Sequence, residues 1–169
     1  MSKSNVNPIH FVQFYRSDKF LAVSLAEYIR VGLEAGEGVV VLATKQHEEL
    51  VKQELQMIYP TYFFHMEEGQ LIFLNAEATL SQVLVNDEPD FLQFKEIVGG
   101  TVNRLKSKYT NLRFYGELVN VLCEQGRLDC AIALEEYWNQ ILRENSRVML
   151  MCGYATRNIK NESSNNDYI

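Results

Sequence analysis

The chain has 169 residues, of which 47% are apolar and 22% charged, and it carries a net charge of −6 at neutral pH. That length and composition suit one globular domain that can bury a core without disulfides or structural metal. The negative balance excludes a broad electrostatic footprint for nucleic acid or anionic membrane, and no apolar run approaches the roughly 20 residues of a membrane span.

Residues 1–8 are polar, lack the apolar core of an export signal, and are expected to be flexible. The cysteines, Cys123, Cys130 and Cys152, are odd in number and form no Cys-x-x-Cys pair. Neither a disulfide framework nor a zinc site is indicated, so a cytoplasmic protein with reduced thiols, no metal and no cofactor is expected.

His10 to Tyr15 is an apolar and aromatic strand candidate. Ser17 can cap the helix that follows, with Asp18 favourable in its first turn. Leu21, Leu25, Ile29 and Leu33 mark the buried stripe of that helix, and Gly36 is a stop. Val39-Val40-Val41-Leu42-Ala43, preceded by two glycines and followed by Thr44, reads as a strand buried on both faces. The next helix runs from Gln46 to Ile58, burying Leu50, Val51, Leu55 and Ile58, with Pro60 beyond its end.

Tyr62-Phe63-Phe64-His65 reads as an edge strand, and Leu71 to Leu74 as another strand. Asn75 can cap a short helix through Leu84. Asp87-Glu88-Pro89-Asp90 opens a longer helix, with the proline in its first turn. Phe91, Phe94, Val98, Val102 and Leu105 hold its period, and Gly99-Gly100 predicts close packing or a kink. Leu112 to Glu117 is a strand, followed by a short helix through Glu124 and a turn at Gly126. A helix over 128–144 buries Ala131, Leu134, Trp138, Ile141 and Leu142. Val148 to Tyr154 is the last strand, and the polar segment 157–169 is expected to be disordered. Helices alternating with buried strands predict a three-layer α/β domain with a mostly parallel central sheet.

Several of these stretches together resemble the MEDS family, the sensory domain of methanogens, methylotrophs and the dichloromethane-operon regulator DcmR. They are His10-x-x-x-Phe14-Tyr15, Gly32-Leu33-Glu34-Ala35-Gly36-Glu37, Leu112 to Glu117, Leu134 to Asn139, and Met151-Cys152-Gly153-Tyr154. Leu118 departs from the family, which often has methionine there. The resemblance spans His10 to Thr156 and gives a sensory domain over residues 9–156. It implies a RecA/KaiC-like sheet and the sensing of small molecules, often hydrocarbon derivatives, beside a kinase, PAS or DNA-binding output domain. No output domain is recognisable in these residues, so signalling would pass through a separate kinase or transcription-regulator partner.

Parallel sheets hold ligands at the carboxyl ends of their strands. A phosphate-binding loop would follow the strand at 39–44, and it needs glycines and a Lys-Ser/Thr pair. The chain instead reads Thr44-Lys45-Gln46-His47, which argues against nucleotide hydrolysis. Thr44 is then a helix cap, or part of an anion site at a helix N-terminus. Glu117 is either a solvent-facing residue past its strand or a polar group in the crevice. It lies too far along the strand from Arg113 for a direct bond. Tyr15 and Tyr154 end strands at the ligand edge, and His47 and Glu135 are further candidates. His10 starts its strand at the opposite edge, where a structural hydrogen bond suits it. Cys152 reads as a small buried apolar residue without a base to activate it.

The expected function is a non-catalytic sensor that binds a small, partly apolar molecule through Tyr15, Thr44, His47, Glu117, Glu135 and Tyr154. The alternatives are an interaction module without a small ligand and a degenerate nucleotide-dependent enzyme.

Overall fold

A computed structural model describes residues 9–158. The expectations for residues 1–8 and 159–169 fall outside this range. The chain opens with strand β1 (Ile9–Tyr15), helix α1 (Asp18–Glu34), strand β2 (Gly38–Ala43) and helix α2 (Lys45–Ile58). A short helix α3 (Tyr62–Glu67), strand β3 (Leu71–Asn75), helix α4 (Ala76–Val83) and a hairpin of β4 (Leu84–Val85) and β5 (Glu88–Pro89) follow. Next come α5 (Phe91–Phe94), a π-helical turn (Lys95–Gly99) and α6 (Gly100–Lys106). Strand β6 (Leu112–Gly116), helices α7 (Leu118–Glu124) and α8 (Leu128–Glu144), and strand β7 (Val148–Ala155) complete the domain.

Five strands form one parallel sheet in the order β1-β7-β6-β2-β3. Every residue of β2 is buried, which is why its apolar run is unbroken. Val39, Val41 and Ala43 pack with Leu21, Leu25 and Ile29 of α1 and Val51 and Leu55 of α2. Val40 and Leu42 point the other way, into a core with Phe94, Val102, Leu122, Leu134 and Trp138. The domain is therefore the expected three-layer α/β sandwich around a parallel sheet. From β2 the chain steps outward to β3, and from β6 it steps the opposite way to β7. The connections diverge between β2 and β6, so the crevice at their carboxyl ends is the topological switch point.

Several local expectations change. The aromatic run at Tyr62 is helix α3 and not an edge strand. Its backbone bonds are met locally, with Phe64 N–H on Thr61 O and Gln70 N–H on His65 O, and Phe63 and Phe64 stay exposed. High strand propensity here reports aromatic content, not sheet pairing. Pro89 belongs to the hairpin and not to a first helical turn. Asn86 and Asp87 have φ of 50° and 64°, the left-handed pair that a tight two-residue hairpin turn requires. Asp90 then caps α5 through Gln93 N–H at 2.9 Å. The Gly99-Gly100 irregularity is the π-helical turn, a recognised cause of helix bending. Ile58 is exposed and Leu50 only half-buried, so α2 buries a narrower stripe than its pattern suggests. No helix among the described residues is long and apolar enough to cross a membrane.

Candidate functional site

The six residues singled out from the sequence separate into two groups on opposite faces of the sheet. Four of them close the switch point. Thr44 caps α2, its hydroxyl accepting from His47 N–H at 3.3 Å. Glu117 turns the chain from β6 into α7 and is 1% exposed. Its carboxylate accepts from Thr44 N–H at 2.8 Å and from the Tyr115 hydroxyl at 2.7 Å. It also lies 2.6 Å from His47 Nδ1, while His47 Nε2 lies 3.0 Å from Asp18 Oδ1 on α1.

Burial disfavours a charged imidazole, but the hydrogen bonds and charges of Glu117 and Asp18 outweigh it, and the His47 pKa is pushed up to about 9. At neutral pH the ring is thus an imidazolium that donates to both carboxylates. Tyr15 sets its ring edge-on to His47 at 5.7 Å, and its hydroxyl accepts from Asn120 Nδ2 at 3.4 Å. Burial, then the Glu117 charge, pushes the Tyr15 and Tyr115 hydroxyls above the ordinary tyrosine range. Glu117 is buried in the crevice, and its carboxylate takes a backbone N–H at the N-terminus of α2. A phosphate here would compete with Glu117 for the Thr44 N–H.

Glu135, on α8, and Tyr154, on β7, lie on the other face. The Tyr154 hydroxyl donates to Glu135 Oε1. With Val12, Phe14, Cys123, Leu128 and Asn158 they line a cavity of about 400 Å³. The parallel register pairs Val12 with Cys152 and Phe14 with Tyr154, so alternate residues of the edge strand form one wall. Phe14 packs against Tyr154 with ring centroids 6.2 Å apart. Burial, then the hydrogen bond to Glu135, raises the Tyr154 hydroxyl pKa, and burial with the Glu135 charge raises that of the Cys152 thiol. Arg157 and Asn158 fall in the polar segment expected to be disordered, yet both side chains are engaged, Arg157 while exposed to solvent. Arg157 pairs with Glu124, and Asn158 Nδ2 donates to Asn120 Oδ1 at 2.9 Å.

Beside this cavity, ligand-type atoms of His10, Glu135 and Cys152 all lie within 4.8 Å of one another. No metal-ligand spacing is visible in the sequence, because pairing of β1 with β7 creates this juxtaposition.

A family model described as MEDS, the methanogen/methylotroph, DcmR sensory domain, matches residues 9–166. The chain belongs to the MEDS family. No curated protein and no solved structure matches it significantly.

The MEDS stretches recognised in the sequence supply part of both groups, Tyr15, Tyr115 and Glu117 to the first and Phe14, Glu135 and Tyr154 to the second. In His10-x-x-x-Phe14-Tyr15, Tyr15 joins the core on the α1 and α2 face, while Phe14 lines the cavity on the other. Arg113 serves a third purpose at the amino end of the sheet. Its Nε donates to Glu37 at 2.7 Å and its Nη1 to Tyr28 O at 3.0 Å. A Cβ at Gly32 would lie 2.9 Å from Arg113 Cδ, so Gly32, Glu37 and Arg113 form one structural clamp. His10 makes the expected structural contact, Nδ1 lying 3.2 Å from Asn139 Oδ1.

Sequence reasoning missed Tyr115, Asp18 and Asn120 in the switch-point network, and Val12, Phe14, Cys123, Leu128 and Asn158 in the cavity. Tyr115 had a usable signal. It stands two residues before Glu117, on the same side of an extended strand.

Proposed function

We propose that this MEDS domain is a non-catalytic sensor whose small, partly apolar ligand enters the cavity between β1, β7 and α8. The observation that carries this reading is the cavity's make-up: about 400 Å³, with Val12, Phe14, Cys123 and Leu128 around the Glu135–Tyr154 pair. Mostly apolar walls with a few convergent polar groups are the usual form of a small-molecule site. Glu135 offers a carboxylate oxygen, which suits a ligand bearing a hydroxyl or amine on an apolar body.

The switch-point residues Tyr15, Thr44, His47 and Glu117 have a supporting role in this reading. Their polar groups are already engaged with one another, which leaves little for a ligand. They can nevertheless receive the signal. Asn158 lines the cavity and bonds Asn120, whose Oδ1 also accepts from Ala155 N–H at 3.0 Å and whose Nδ2 reaches Tyr15. A ligand that moves the segment after β7 would bias Tyr15 and, through it, His47. The altered population of that segment would be read by a separate kinase or transcription regulator.

A thermal-shift panel of medium-chain alcohols, ketones and primary amines tests the reading. At tenfold excess over Kd a true ligand stabilises by about 1.4 kcal/mol, a rise of roughly 3–6 °C. Tyr154→Phe should reduce the shift. A panel with no stabilising member, or a shift unchanged in Tyr154→Phe and Phe14→Ala, would leave the interaction-module reading in its place.

A further inference from the structure

The cluster between β1, β7 and α8 holds one buried polar atom without a hydrogen-bond partner among the described residues, His10 Nε2. His10 Nδ1 faces Asn139 Oδ1, an acceptor, so Nδ1 carries the proton and Nε2 a lone pair in the neutral ring. That Nε2 atom faces Glu135 Oε2 at 3.9 Å, beyond hydrogen-bonding range. The other Glu135 oxygen is taken by the Tyr154 hydroxyl. Cys152, 2% exposed, brings a polarisable sulfur to the same point. Nitrogen, oxygen and sulfur donors therefore converge on one point.

We propose that His10, Glu135 and Cys152 form a binding site for one divalent transition-metal ion of the zinc class. The donor set suits a borderline-soft ion, since thiolate and imidazole disfavour magnesium and calcium. Tetrahedral zinc holds such donors roughly 3.4–3.6 Å apart. The three atoms, all within 4.8 Å, need to close by about 1 Å. His10 and Glu135 side chains are 20% and 29% exposed and have room to adjust. Both already have the outer partners typical of metal ligands: Asn139 fixes the His10 ring and its tautomer, and Tyr154 orients the Glu135 carboxylate. Binding converts the Cys152 thiol to a thiolate and releases its proton to solvent. Glu135 also belongs to the cavity wall, so the ion would sit at the cavity's side with coordination positions left over. The site stands on this cluster alone, whether or not the cavity takes an organic ligand.

Cobalt(II) titration of the reduced, full-length protein tests the site, with zinc(II) as competitor. One equivalent of cobalt should give near-ultraviolet thiolate-to-metal absorption that zinc abolishes. Cys152→Ser should lose that absorption, while Cys123→Ser and Cys130→Ser keep it. His10→Gln should weaken zinc binding at least tenfold, read by competition with a chromophoric chelator. Absence of the band in wild type, or its survival in Cys152→Ser, would overturn the proposal. Should Cys152→Ser fail to fold by circular dichroism, the His10→Gln and Glu135→Gln affinities decide. Values equal to wild type in both would refute the site, and losses of tenfold or more would support it.

Discussion

Gly153 lies directly under the Tyr115 hydroxyl: a Cβ at Gly153 would stand 2.2 Å from that oxygen. The tyrosine crosses from β6 over β7 at this point and ends on Glu117. A missing side chain on one strand thus lets a buried carboxylate just past the end of the neighbouring strand receive one of its donors.

Gly153→Ala should therefore destabilise the domain by about 2–4 kcal/mol, combining overpacking with a weakened bond to a buried carboxylate. Tyr115→Phe alone should cost about 1–3 kcal/mol. The double variant should cost less than the sum, because removing the hydroxyl removes the closest clash. Urea unfolding of the four proteins measures this. Strict additivity would show that the glycine is not there to admit the tyrosine.

His47 gives stability a dependence on pH. Its folded pKa of about 9 lies above the ordinary histidine value of 6.5. Protonation therefore favours the folded state. The contribution is fully present below about pH 6.5 and is lost as pH rises through about 9, with an upper limit on the order of 3 kcal/mol. The difference in unfolding free energy between wild type and His47→Gln should shrink steadily across that window. A difference that stays constant with pH would mean the imidazole is neutral in the fold.

Glu117→Gln should be the most damaging change at the switch point, because it leaves the imidazolium of His47 with Asp18 as its remaining anion. Breaking a buried pair from one side costs roughly 3–5 kcal/mol. Replacing both partners, as Glu117→Gln with His47→Gln, should recover part of that loss. Binding in the cavity on the other face should persist in Glu117→Gln at temperatures where it is folded. Loss of binding without loss of fold would return the ligand to the switch point.

What the sequence disclosed follows the range of the interactions involved. Val39 to Ala43 declared a doubly buried strand because burial on both faces is written into five consecutive residues. Thr44 declared a cap because capping spans three residues. The meeting of Thr44 with Glu117 depends on β2 lying beside β6, and strand order has no local signature. The convergence of His10, Glu135 and Cys152 depends on β1 pairing with β7 and on α8 bringing Glu135 to the same point. The aromatic run at Tyr62 and the Asn86-Asp87 hairpin are hard to read for the opposite reason. Their signals are local but ambiguous: aromatic content mimics a strand in the first, and the helical period that follows masks a turn dipeptide in the second.

Leu128 offers the cleanest separation of cavity function from fold. It is the first residue of α8, 43% exposed, and lines the cavity beside Phe14 and Tyr154. A larger side chain there can enter open space instead of a packed core, so Leu128→Trp should alter stability by no more than about 0.5 kcal/mol. The indole should nevertheless fill the volume a ligand needs and abolish the thermal shift with whichever alcohol, ketone or amine stabilises wild type. Leu128→Ala should enlarge the cavity and extend the response to longer members of the same series. If Leu128→Trp keeps both its melting temperature and the full ligand shift, the ligand binds elsewhere, and the cavity beneath α8 is only a gap between the edge strand and its covering helix.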